Sequence, residues 1–155
     1  LIALALMLRT CLGGSGAVTE EQKVIALVKA IAKAAETHDI KSIRAHLSRR
    51  YKDPSGRDYD AINQILRIHY LRKGKITVYI ASQEVTVEHS ASPMRATIKA
   101  KVVLPRGGAG SKLPDIVPES GDAITFDVIM EQEDGEWMMI SADWKGLRNP
   151  RELLQ

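Results

Sequence analysis

The sequence predicts an α+β domain, three N-terminal helices followed by a curved four-stranded antiparallel sheet. Two patterns carry that expectation. Apolar residues recur at helical spacing between Thr19 and Arg72, then at a period of two from Lys75 onward. The dipeptide Asp134-Gly135 sits between two alternating runs, where it favours a two-residue hairpin turn.

The first helix opens at Thr19, which Glu20, Glu21 and Gln22 follow as a capping box with acidic groups against the positive helix end. Val24, Ile25, Leu27, Val28, Ile31, Ala32 and Ala35 form its apolar stripe, which fades at Thr37 and His38. Asp39 is a good N-cap for a short second helix with Ile40, Ile43 and Leu47 inward. The turn-rich stretch Lys52-Asp53-Pro54-Ser55-Gly56 ends it. A third helix spans Asp58 to Arg72, with Ile62, Ile65, Leu66, His69 and Tyr70 on one side and Gly74 as its stop.

The first strand begins at Lys75. Ile76, Val78 and Ile80 alternate, then Val85 and Val87 alternate on shifted parity, so a β-bulge is expected near Ser82 and Gln83. Arg95 to Leu104 is the second strand, with Ala96, Ile98, Ala100 and Val102 inside. The Gly- and Pro-rich segment 105–121 is longer than a routine hairpin loop. The last strands are Asp122 to Gln132 and Glu136 to Lys145. A regular ladder from the Asp134-Gly135 turn pairs Met130 with Met139, Val128 with Ser141 and Phe126 with Asp143. The expected ligand-facing side is therefore Phe126, Val128, Met130, Trp137, Met139, Ser141 and Asp143. The opposite face then carries Ile129, Ile140 and Trp144, a candidate homodimer surface.

Composition bounds the function. Apolar residues are 45% and charged residues 26%, and the net charge of +3 comes from 22 Lys and Arg against 19 Asp and Glu. The densest basic cluster, Arg49, Arg50 and Lys52 around Tyr51, reads as a solvated loop, and aromatics at 5% are too few for a stacking nucleic-acid groove. Cys11 is the single cysteine, so no internal disulfide forms. His38, His46, His69 and His89 show no ligand spacing, so no metal or other cofactor is expected. Glycines 107, 108 and 110 follow a strand and precede no helix, which excludes a phosphate-binding loop, and no GxSxG motif accompanies Ser141.

Residues 1–8, LIALALML, form an uncharged run too short to span a bilayer, which takes about 20 residues, and long enough for a signal-peptide core. With Leu8-Arg9-Thr10-Cys11 and the Gly/Ser run behind it, this segment resembles the lipobox of bacterial lipoproteins, although Arg9 departs from the small residue usual there. That resemblance implies lipid attachment at Cys11, membrane contact through the N-terminal segment alone, and a place in the bacterial cell envelope. The other reading is a cleaved secretory signal with Cys11 incidental. The organisation is then a signal or anchor at 1–11, a flexible tether at 12–18, a domain at 19–146 and a tail at 147–155.

The short helix at Asp39, the Leu47 to Asp53 turn, the third helix and Asp134-Gly135-Glu136-Trp137 together resemble the nuclear transport factor 2-like (cystatin-like cone) superfamily. The resemblance implies a conical roll, with the three helices packed in the concavity of the curved sheet around a cavity, frequent dimers through the convex face, and either an enzyme or a binding domain. An isomerase- or cyclase-type enzyme would use Asp143 as a cavity base, with His69 or Tyr51 as partner. A non-catalytic domain would bind a small apolar ligand or a protein partner, and the absence of a catalytic motif favours that second reading.

Overall fold

The structure, a computed structural model, describes residues 16–72, 76–105 and 121–147, with the side chains of 69–72, 105, 121, 122 and 147 outside that description. Cys11, residues 1–15, most of the 105–121 segment, residues 148–155 and the side chains of His69 and Tyr70 thus lie outside the described residues. Three helices, α1 (Glu20–Glu36), α2 (Ile40–Ala45) and α3 (Tyr59–Arg72), precede four strands. These are β1 (Tyr79–Glu88), β2 (Arg95–Pro105), β3 (Gly121–Glu133) and β4 (Glu136–Leu147), paired antiparallel in the order β1-β2-β3-β4.

Local chemistry sets the helix starts. The Thr19 hydroxyl accepts from the Gln22 amide at 3.2 Å and the Gln22 side chain accepts from the Thr19 amide at 3.0 Å, a complete capping box. Asp39 accepts from the Ser42 amide at 3.1 Å, and Asp58 accepts from the Ala61 amide at 2.9 Å. Glu20 also ties α1 to the last hairpin. Its Oε2 accepts from the Trp137 indole at 2.9 Å and from the Gln132 amide nitrogen at 3.0 Å.

The core lies between helices and sheet. Ala96, Ile98, Ala100 and Val102 of β2 are buried as the alternation predicts, against Val24, Leu47, Tyr51, Val128, Met130, Trp137 and Ala142. Two expectations shift. β1 starts at Tyr79, four residues after Lys75, and its register breaks between Ile80 and Ser82, one residue earlier than expected. On α3, Ile65 is exposed, while Asn63 is buried between Ile62 and Leu66.

The larger correction is in β4. Asp134 and Gly135 have φ of 51° and 83°, the backbone of a tight hairpin turn, and Met130 does pair with Met139. The register then slips, so Ile129 faces Ser141, Val128 faces Ala142, Asp127 faces Asp143 and Phe126 faces Trp144. Ile140 is the extra residue of a bulge, and everything beyond it changes sides. Ser141 and Asp143 therefore leave the inner face for the outer one, and Ala142 and Trp144 make the reverse move. The segment after α2 holds the bulge from the sheet edge. Met139 donates to the His46 carbonyl at 2.7 Å, while Ser48 and Lys52 donate to the Met139 and Ile140 carbonyls, each at 3.0 Å.

Candidate functional site

The inner face is a grid of cross-strand rows, three of which form the candidate site, while a fourth of Ile80, Val102, Ile124 and Gly146 lies beyond them. Val87, Ala96, Met130 and Met139 form one, and Val85, Ile98, Val128 and Ala142 the next. Gln83, Ala100, Phe126 and Trp144 form the third. Ala96, Ala100 and Ala142 keep the floor low, and Leu27, Val28, Ile31, Tyr59 and Ile62 supply the helical wall. Phe126 and Trp144 sit with ring centroids 6.5 Å apart.

Two amides interrupt this apolar surface. Asn63, 6% exposed, donates its Nδ2 to the Tyr59 carbonyl at 2.8 Å, which leaves Oδ1 buried without a partner. Gln83 Oε1 is likewise buried without a partner. An unmade hydrogen bond at a buried acceptor costs about 1–3 kcal/mol, so each is a place where a ligand donor is worth most. The three rows carry no carboxylate and no imidazole.

Asp53 is one of two buried carboxylates among the described residues, and its side chain is fully enclosed and fully occupied. Its Oδ1 accepts from the Ser55 and Arg57 amides at 2.9 and 3.0 Å, and its Oδ2 accepts from Arg57 Nε at 2.6 Å. Burial pushes its pKa up, but the Arg57 hydrogen bonds and charge outweigh that and hold it below the usual carboxylate value. A carboxylate so held is a brace, not a base. Arg57 in turn stacks 3.9 Å from the Trp144 ring, so Asp53 positions the cation that covers the inner row.

Tyr51 and Asp143 are not brought together on the inner face, and the His69 side chain lies outside the described residues. Tyr51 is buried, and its hydroxyl lies 3.4 Å from Asp53 Oδ2 and 3.4 Å from the Ala142 carbonyl. Asp143 lies on the outer face, its side chain 35% exposed and 4.0 Å from Lys145. Phe126, Val128, Met130, Trp137 and Met139 pack in or against the core. Trp144 leaves the proposed pairing face, where Ile129 stays. The basic cluster is more engaged than a solvated loop. Arg50 bridges Glu131 at 3.0 Å and Glu133 at 2.7 Å, and Arg49 lies 4.2 Å over the Tyr59 ring.

Asn63, Gln83, Asp53 and Arg57 were not singled out from the sequence. Asn63 was detectable as a lone amide on an apolar helical stripe, and Gln83 as the polar residue at a parity break. A separate shallow groove of about 230 Å³ lies between α1 and β1, lined by Lys29, Ala32, Lys33, Glu36, Val78 and Ile80. Among the described residues no group of three or more His, Cys, Asp or Glu could hold a metal ion. No helix among them is long and apolar enough to cross a membrane.

No family model matches the chain, and no curated protein matches it by sequence. Solved structures do. A Bdellovibrio bacteriovorus protein, Bd1075, superimposes with a TM-score of 0.63 at 13% identity over 81% of this chain, which spans only 41% of that protein. An NTF2-like protein of unknown function from Pseudomonas putida gives 0.63 at 17% identity, covering 81% of this chain and 84% of that one. An NTF2-like protein with a cystatin-like fold from Novosphingobium aromaticivorans gives 0.61 at 17% identity, covering 88% and 90%. Identities this low speak to architecture alone. The helices, the bent sheet and these neighbours agree that the chain has the nuclear transport factor 2-like, cystatin-like cone fold.

Proposed function

We propose that this domain is a non-catalytic binding module that takes a small, largely apolar ligand on the inner face of its cone. The observation that carries the reading is the chemistry of that face. It is built of Phe126, Val128, Met130 and Trp144 with two amide oxygens unpartnered among the described residues, and the buried carboxylate Asp53 is saturated by Arg57. Among the described residues such a surface orients a donor-bearing ligand and its three rows carry no group poised to move a proton. One structural neighbour is described as a putative scytalone dehydratase, which keeps the enzyme reading in view. That reading needs a base other than Asp143, since Asp143 stands opposite Asp127 on the outer face.

The test is calorimetry with 1-octanol as the probe. Saturable binding that survives Asp143→Asn and disappears in a folded Ala100→Phe variant supports the proposal. No saturable binding, or binding indifferent to Ala100→Phe, sinks it.

Export completes the proposal. The apolar run, Cys11 and the Gly/Ser tether support a domain held at the cell envelope by lipid on Cys11. A Cys11→Ser protein that still fractionates with membranes contradicts the anchor. Homodimerisation through the outer face is the corresponding proposal for Ile129 and Ile140, and a strict monomer in gel filtration counts against it.

A further inference from the structure

Three elements converge on Tyr59. Arg44 comes from α2, Arg49 from the following loop, and Asn63 from one turn along α3. Arg49 sits over the ring at 4.2 Å, and the Arg44 guanidinium beside the hydroxyl lowers the phenol pKa. Among the described residues neither arginine is paired with a carboxylate, and Arg44 Nε is buried with no partner at all. Arginine is the residue suited to planar bidentate recognition of a carboxylate, and a buried guanidinium N–H without an acceptor costs stability. One turn along α3 from the same tyrosine, the buried Asn63 Oδ1 has no partner among the described residues. Its orientation is fixed, because Nδ2 already donates to the Tyr59 carbonyl at 2.8 Å. The cluster therefore offers cationic donors and a neutral acceptor around Tyr59, which packs against the core.

We infer that Arg44 and Arg49 form the head-group site for a ligand bearing a carboxylate, with Asn63 Oδ1 receiving a hydroxyl or amine donor on the same molecule. This rests on the cone-binding reading and specifies its ligand as an amphipathic acid whose tail follows Tyr59 and Ile62 toward Phe126 and Met130. A phosphate fits less well, since its oxygens at neutral pH offer Asn63 Oδ1 few donors.

The experiment compares three probes of one tail length, 1-octanol, octanoate and 2-hydroxyoctanoate, by calorimetry at pH 7.5. The expected result is octanoate at least tenfold tighter than octanol, with the advantage shrinking as salt is raised. 2-Hydroxyoctanoate is expected to be tighter again. Arg44→Gln with Arg49→Gln should erase the octanoate advantage and leave octanol unchanged, which also reports an intact cone. Asn63→Leu should erase the advantage of 2-hydroxyoctanoate over octanoate and leave octanoate itself unchanged. Octanol binding as tightly as octanoate in the wild-type protein overturns the head-group site and leaves the cone reading standing. Failure of all three probes overturns both.

Discussion

Trp144 faces Phe126 across β3 and β4, ring centroids 6.5 Å apart, because Ile140 occupies an unpaired position in β4. A regular ladder would have put Asp143 there instead. One residue thus separates a cone lined by an aromatic pair from a cone with a carboxylate in it.

Deleting Ile140 tests what the bulge itself contributes. The deletion leaves Ser141 opposite Ile129, Ala142 opposite Val128 and Trp144 opposite Phe126, so the inner face keeps its residues while the bulge is lost. It also removes the carbonyl that accepts from Lys52 at 3.0 Å. The deletion should lower stability by about 1–3 kcal/mol, read from a urea midpoint, with Trp144 emission unshifted. Red-shifted Trp144 emission in a folded variant would contradict this register.

The floor of the cone carries much of the stability. Ile98 is 1% exposed and sits in the central row between Val85 and Val128. Ile98→Ala should lower unfolding free energy by about 2–5 kcal/mol, read from a urea midpoint. Ile129→Ala, at the half-buried outer position next to it in β3, should cost distinctly less.

Glu131 should govern the acid limb. It is 5% exposed and receives Arg95 at 2.6 Å and Arg50 at 3.0 Å. The Arg95 hydrogen bond, opposed by burial and helped by Arg50, holds its pKa below the usual 4.5. A depressed carboxylate stabilises the folded state above the unfolded pKa, and that stability is lost as pH falls through the folded value. Urea midpoints should therefore be flat from pH 7 to about 5 and fall below about 4.5. Glu131→Gln should be less stable at pH 7 by about 1–3 kcal/mol and show a shallower fall.

Tyr51 gives the alkaline counterpart. Burial, reinforced by the charge on Asp53, pushes its phenol up to about 12. A raised phenol contributes stability that is present below the unfolded value of 10.0 and is lost as pH rises through the folded one. Absorbance titration should show one tyrosine ionising last, absent in Tyr51→Phe. Ionisation of every tyrosine near pH 10 would place Tyr51 in solvent.

Much of this architecture was legible in the amino-acid order because it rests on local signals. Thr19 with Gln22, Asp39, and Asp134-Gly135 each act over a few residues, and the β2 alternation reads directly as one buried face. The site was less legible because it depends on register. The apolar parity shifts from Trp137 and Met139 to Ala142 and Trp144, the same kind of break that marked the β1 bulge. Nothing local marks Ile140 as its site, since the hydrogen bonds of His46, Ser48 and Lys52 that hold it come from about ninety positions away. Asp53 and Arg57 were hidden for a related reason. Inside a turn-rich stretch they look like surface polar residues, and only the fold carries Arg57 to within 3.9 Å of Trp144.

The most direct test of the central claim is a methyl-resolved NMR titration of the protein with 1-octanol. If the inner face is the binding surface, shifts concentrate on Ile98, Val128, Met130 and Ala142, while Ile129 and Val103 on the other side of the sheet stay put. Shifts at Ile129 with Ile98 and Val128 silent would contradict the account.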